Sequence, residues 1–230
     1  MKIALFSDVH ANLPAFESFF NDLDSRKPDM VYCLGDLIGY NIWPNEIINE
    51  VRKRVIPTLA GNHDLKNKGY AYELVSAENR QYLNTLPEQI RLDFHLKNEK
   101  INLIMAHGSA TSIDEYILED FEEAYIYKMM IETNADILCV GHSHKPFYKI
   151  IEIEGIVKHV INIGSVGKPK DGNPFGCYII LTIEDESSIA GSPNINVEFI
   201  RFEYDIEKAV AAIENSPLPN ELMDRLRKAY

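Results

Sequence analysis

Residues 2–23 read KIALFSDVHANLPAFESFFNDL, and the fold turns on how this stretch divides. Residues 2–6 are a short, nearly continuous apolar run, the pattern of a strand buried on both faces. The run breaks at Ser7-Asp8-Val9-His10. Asn12 is then placed to cap a helix with Pro14 in its first turn. Phe16, Phe19, Phe20 and Leu23 follow the spacing of a helix that buries one face. A strand, a polar break and a helix in that order form the unit of a layered α/β sheet.

The unit recurs downstream. Residues 30–34 read as a strand, 44–54 as a helix with Ile47, Ile48 and Val51 inward, and 55–60 as a third strand in which Pro57 marks an edge position or the first turn. Residues 69–86 read as helix. Residues 90–96 and 101–106 pair about a turn at Asn98-Glu99. A helix over 119–133 precedes a strand at 137–140. Strands then follow at 148–153, 157–163, 177–183 and 197–204, and the tail from Ile206 is helical with breaks at Pro217 and Pro219. This order predicts a four-layer αββα sandwich: two mixed sheets flanked by helices, in one domain over 1–230 whose helical tail spans 206–230.

Composition narrows the chemistry. The 230 residues are 46% hydrophobic and carry a formal net charge of −12, so neither a nucleic-acid backbone nor an anionic membrane surface is an expected partner. An anionic substrate needs a local positive centre, which a bound metal supplies. Cys33, Cys139 and Cys177 are odd in number and far apart, which predicts no disulfide framework and fits a reducing cytoplasm. No apolar stretch approaches the ~18 residues of a membrane span. The first apolar run stops at Ser7-Asp8, so no secretory signal is expected.

Five strands each run into metal-ligating residue types: Asp8-Val9-His10, Gly35-Asp36, Gly61-Asn62-His63-Asp64, His107-Gly108 and Gly141-His142-Ser143-His144. Any one alone reads as a turn or a helix cap. Together they take five of the seven histidines, leaving His95 and His159 as structural. Ligands of open α/β sheets sit beyond the carboxyl ends of the strands, so these side chains are expected on one rim. Asp8-x-His10 and His142-x-His144 would each point two side chains the same way from an extended segment. Nitrogen and carboxylate ligands without thiolate suit Mn, Fe, Zn, Ni or Co. The donors are too many for one tetrahedral ion, and two divalent ions bridged by Asp36 would use them.

In this order the blocks resemble those of the calcineurin-like metallophosphoesterase superfamily, above all its compact bacterial and archaeal YfcE-like phosphodiesterases; the likeness runs to about Asp171. The resemblance implies hydrolysis of a small phosphorylated substrate, a phosphodiester or phosphomonoester, by water held between two divalent metals, manganese first among them. It implies that Asp8, His10, Asp36 and His144 hold one ion and Asp36, Asn62, His107 and His142 the other. His63 would stand at the leaving-group oxygen, oriented and made more basic by Asp64. A metal-binding scaffold without activity is the alternative on the same fold, and the retained His63 argues against it. The Asp-Arg that often follows the Gly-Asp block is absent from Gly35-Asp36-Leu37-Ile38-Gly39-Tyr40, which removes a guanidinium that would fork a phosphate. Lys168 or Lys170 would supply charge at the rim, or form a solvated turn. Tyr40, Asn41 and Trp43 would line the pocket or pack beneath the loop. Strand edges and the tail are compatible with a homodimer.

Overall fold

Alternation within two central strands decides the layering. Ile3 and Leu5 pack with Ile179 and Leu181, whereas Ala4 and Phe6 pack to the opposite side with Tyr178 and Ile180. Strands buried on both faces need a layer on each side. In the computed structural model, which describes residues 1–97, 99–190 and 195–230, those layers are a second sheet and a set of helices.

The strands are β1 (Lys2–Phe6), β2 (Met30–Cys33), β3 (Gln89–His95), β4 (Lys100–Ala106), β5 (Ile137–Val140), β6 (Phe147–Ile153), β7 (Ile156–Asn162), β8 (Gly176–Thr182) and β9 (Asn196–Phe202). One mixed sheet has the order β2-β1-β8-β9 and the other β3-β4-β5-β7-β6. Leu103 and Met105 of β4, Ile137 and Cys139 of β5, and Ile161 of β7 meet Ile3 and Leu5 between the sheets. Helices α1 (Leu13–Arg26), α2 (Pro44–Lys53), α6 (Ile206–Glu214) and α7 (Glu221–Lys228) cover the first sheet. Helix α5 (Glu123–Glu132) covers the second through Ile126, Met129 and Met130. The expected αββα sandwich of two mixed sheets is present, and all three cysteines are buried and free. Among the described residues no helix is long and apolar enough to cross a membrane.

Three local readings change. Residues 55–60 make only an isolated parallel bridge, Cys33 with Thr58. Pro57 accepts from Cys33 through its carbonyl but has no N–H to return, and the Ala60 N–H turns away to the Pro87 carbonyl. The helix expected over 69–86 is two short ones, α3 (Tyr70–Glu73) and α4 (Ala77–Leu83). Ser76 separates them because its side chain accepts the Asn79 N–H and caps α4. The helix expected from residue 119 begins at Glu123, after a turn in which Phe121 donates to the Leu118 carbonyl. The Leu96 N–H donates to the Glu99 carbonyl between β3 and β4; Asn98 lies outside the described residues.

Candidate metal centre

β1, β2, β4 and β5, and the bridge at Thr58, all end toward one rim, and their loops are bonded to one another. Asp8 N–H donates to the Gly35 carbonyl and His10 N–H to the Asp36 carbonyl, each at 3.0 Å. His142 N–H donates to Asp8 Oδ2 at 3.0 Å, and His63 N–H to Asp36 Oδ1 at 2.7 Å. Asp8, His10, Asp36, His142 and His144 all have φ between 50° and 62°. The Asp8–His10 and His142–His144 pairs therefore do not ride on extended segments, contrary to expectation. With Ala11 and Tyr40 they make seven of the twelve non-glycine residues with positive φ among those described. Such backbone costs ~1–3 kcal/mol per residue and persists where surrounding bonds enforce it.

The rings are oriented by backbone carbonyls. Nδ1 of His10 donates to the Ile38 carbonyl at 3.0 Å, Nδ1 of His107 to the Leu34 carbonyl at 2.8 Å, and Nδ1 of His144 to the Lys168 carbonyl. A carbonyl can only accept, so each Nδ1 carries the proton and each Nε2 presents a lone pair inward when the ring is neutral. Nε2 of His10 and His144 then face each other at 3.2 Å. His142 is reversed, with Nε2 donating to the Asp114 carbonyl at 3.2 Å, which leaves Nδ1 free.

Ligand atoms gather within 4.8 Å of one another in three overlapping groups: Asp8, His10 and His144; His10, Asp36 and His63; and Asp36, His107 and His142. Asp8 Oδ1, Asp36 Oδ2, Asn62 Oδ1 and His107 Nε2 are buried without a hydrogen bond. Unpartnered acceptors in such a place are costly. Divalent cations accept lone pairs from carboxylate, amide and imidazole alike, so the donor set fits metal binding.

The charges fit as well. Burial opposes ionisation of Asp8 and Asp36, yet His144 beside Asp8 and His107 beside Asp36 hold both carboxyls far below the usual range. Burial pulls His107 down, but Asp36, 3.4 Å from its Nε2, overrides this and raises it to about 10. Burial drives His10 well below its ordinary value against the pull of Asp36. The raised His107 ring thus carries a positive charge beside Asp36.

Asp64 does not orient His63. Its Oδ2 accepts from Asp36 N–H at 2.8 Å and Gly61 N–H at 2.9 Å, and its Oδ1 from Leu37 N–H at 2.9 Å and Ile38 N–H at 3.3 Å. Every one of those donors is backbone, so the carboxylate ties the Asp36 loop to the Gly61 loop. The His63 ring instead meets Tyr72 Oη at 2.5 Å through Nδ1 and Lys66 Nζ at 3.2 Å through Nε2. Burial lowers His63 to about 4, the opposite of the rise expected from Asp64. Tyr72 and Lys66 are the residues that motif reading missed. Lys66 stands on irregular chain after the Asn62 block and Tyr72 in the short helix α3, where no spacing marks them.

Tyr40 lines the site edge-on to His10, with ring centroids 4.7 Å apart, and lies 4.8 Å from His63. Asn41 packs beneath, donating to the His10 carbonyl at 2.9 Å. Trp43 instead stands at the start of α2, its N–H donating to the Ala11 carbonyl. Tyr116, unforeseen, stacks on His142 at 4.1 Å. Lys168 is no solvated turn: it is 1% exposed. His159 lies away from the cluster, bonded to Tyr148 Oη at 2.7 Å and the Ile189 carbonyl at 2.8 Å, and His95 is exposed on β3.

A model of the calcineurin-like phosphoesterase superfamily domain matches residues 1–186. The uncharacterized protein MJ0912 of Methanocaldococcus jannaschii is 30% identical over 252 residues, covering 97% of this chain and 96% of that protein. The crystal structure of a metallophosphoesterase from Sphaerobacter thermophilus matches with a TM-score of 0.79 at 27% identity, covering 100% of both chains. Hypothetical protein PH1004 from Pyrococcus horikoshii OT3 shares the fold, with a TM-score of 0.81 at 19% identity, covering 100% of this chain and 98% of that one. The domain match takes in all five strand-end blocks that meet at the rim, and the chain is a member of the calcineurin-like phosphoesterase superfamily.

Proposed function

We propose that the chain is a metal-dependent hydrolase of a small phosphodiester or phosphomonoester, loaded with two divalent ions. Asp8, His10, Asp36 and His144 would hold one ion and Asp36, Asn62, His107 and His142 the other, with manganese the first to try. The observation that carries this reading is that the ligand atoms of Asp8, His10 and His144 and of Asp36, His107 and His142 gather in groups within 4.8 Å, with Asp8 Oδ1, Asp36 Oδ2 and His107 Nε2 buried and without a hydrogen bond. Bound there, divalent ions would polarise phosphoryl oxygens and acidify water.

The chain's own residues supply the rest. The Ile38, Leu34 and Lys168 carbonyls hold three imidazoles in the ligating tautomer. His63 is neutral near pH 7 because burial lowers it to about 4. Its role would be to hold the Lys66 ammonium, which donates to Nε2 at 3.2 Å, where charge develops on the leaving oxygen. Tyr40 and Tyr116 would wall the substrate.

The test is metal content by elemental analysis together with turnover of a chromogenic phosphodiester and phosphomonoester in manganese. Wild type should hold close to two ions and turn over at least one ester. Asp36→Asn should lower metal content and cut turnover at least ~100-fold. Wild type that takes up metal yet hydrolyses neither ester would overturn the enzyme reading in favour of a scaffold. Wild type that takes up no metal would overturn both.

A further inference from the structure

The loop after β7 carries a feature that metal binding does not use. Its backbone is pinned to the centre. Gly167 N–H donates to the Asp8 carbonyl at 3.0 Å, Asn12 Nδ2 to the Gly167 carbonyl at 2.7 Å, and Lys168 N–H to Ser165 Oγ at 2.8 Å, while the Lys168 carbonyl takes His144 Nδ1. From this fixed root the Lys168 side chain runs inward, 1% exposed, and its Nζ has no hydrogen-bond partner. Its one contact of note is the face of Tyr40, 4.6 Å from Nζ to the centroid. Tyr40 also touches His10 and His63, so a single ring borders both the ammonium and the metal ligands.

No carboxylate answers this charge. Burial lowers the Lys168 amine to about 7, and the cations Lys170 and Arg225 push the same way, ahead of the attraction of Asp8 and Glu221. Arg225 comes from α7, which docks on the same loop through Gly172 N–H and the Ala229 carbonyl, 2.9 Å apart. Arg225 Nε is also buried and unpartnered. In a chain of net charge −12, Glu221 pairs with Arg225 Nη2 at 3.0 Å, whereas Lys168 Nζ is left without any anion. An ammonium buried without an acceptor is strongly disfavoured, so such a group is kept where an anion completes it.

We propose that Lys168, with Lys170 and Arg225, forms an anion subsite beside the metal centre that takes a second phosphate of the substrate, making the preferred substrates esters that carry two phosphate groups. The subsite, set against Tyr40 of the loop after Asp36, would take the place of the guanidinium absent from that loop. The assignment of the substrate rests on the phosphoesterase reading; the binding of an anion by Lys168 does not.

Calorimetry on the manganese-loaded full chain with inorganic orthophosphate and inorganic pyrophosphate tests it. Wild type should bind pyrophosphate at least ~10-fold more tightly than orthophosphate. Lys168→Met should cut that ratio about tenfold or more, and Lys168→Arg should retain most of it. The paired variant Lys170→Gln, Arg225→Gln changes two side chains nearer the surface. It should lower the ratio too, and it decides the matter if Lys168→Met does not fold. A wild-type chain indifferent to the second phosphate overturns the proposal. So does a Lys168→Met chain that melts higher yet keeps the wild-type ratio, since a merely structural ammonium would behave that way. If wild type hydrolyses no ester but the ratio depends on Lys168, the phosphoesterase reading fails and the anion subsite stands.

Discussion

Asp64→Asn separates a carboxylate that holds two loops from one that tunes a histidine. Asp64 accepts four backbone N–H groups, two on each oxygen, at 2.8 to 3.3 Å. Burial and the neighbouring Asp36 push its carboxyl up to about 7, while the four donors favour the carboxylate, so the comparison belongs near pH 8. Asparagine keeps one acceptor oxygen and turns an NH2 group toward the other pair of N–H donors. Two charge-assisted bonds are lost, at ~1.5–3 kcal/mol each. Removing a buried charge beside Asp36 returns part of that, which leaves an expected net loss of ~2–4 kcal/mol. Urea unfolding followed by the fluorescence of Trp43, the single tryptophan, would read it. Asp36 rides on the same loop, so metal affinity should fall about tenfold as well. An Asp64→Asn chain that unfolds within ~0.5 kcal/mol of wild type, while its pH–rate profile moves, would refute this account and restore the histidine-tuning role.

Three further outcomes follow from the geometry. His63→Ala should leave metal content unchanged and slow ester turnover ~10²–10⁴-fold, since the proposed ion sites do not use its ring and its proposed place at the leaving oxygen does; unchanged turnover would remove His63 from the chemistry. Metal uptake near pH 8 should release protons, because Asp36 raises His107 to about 10 and ligation requires the neutral ring. The heat of binding should therefore vary with buffer ionisation enthalpy by about one proton, and equal heats in two buffers would count against ligation by His107. Gly141→Ala should cost ~1–3 kcal/mol and weaken metal binding, because a Cβ there would meet Ser7 Oγ at 2.5 Å and Asp8 Oδ2 at 2.8 Å; a wild-type melting temperature would show that the β5 loop has room to shift.

What was legible in the chain is what periodicity and residue type carry locally. Apolar runs such as 2–6 and 137–140 read as strands buried on both faces, and their abrupt ends at Asp and His marked where ligands would lie. The spacing of Phe16, Phe19, Phe20 and Leu23 read as the buried face of α1, and all four pack in the helix-side core. Asn12 caps that helix as expected, accepting the Ala15 N–H.

What escaped depends on partners remote in sequence. Residues 55–60 look like a strand, but a ladder needs a neighbour along its length, and Ala60 finds Pro87 instead. Asp64 adjoins His63 in the chain, yet three of the four amides its oxygens accept lie 26 to 28 residues away. The tautomers of His10, His107 and His144 are set by carbonyls 24 to 73 residues distant. Lys168 sits in a Gly-Lys-Pro-Lys run that composition makes a surface turn, and only the docking of Tyr40 over it and α7 beside it takes the ammonium out of water. Residue pattern settles which groups are available and on which strand ends; which atom each group points at is a matter of hydrogen bonds closed across the fold, and those exist only once the chain has folded.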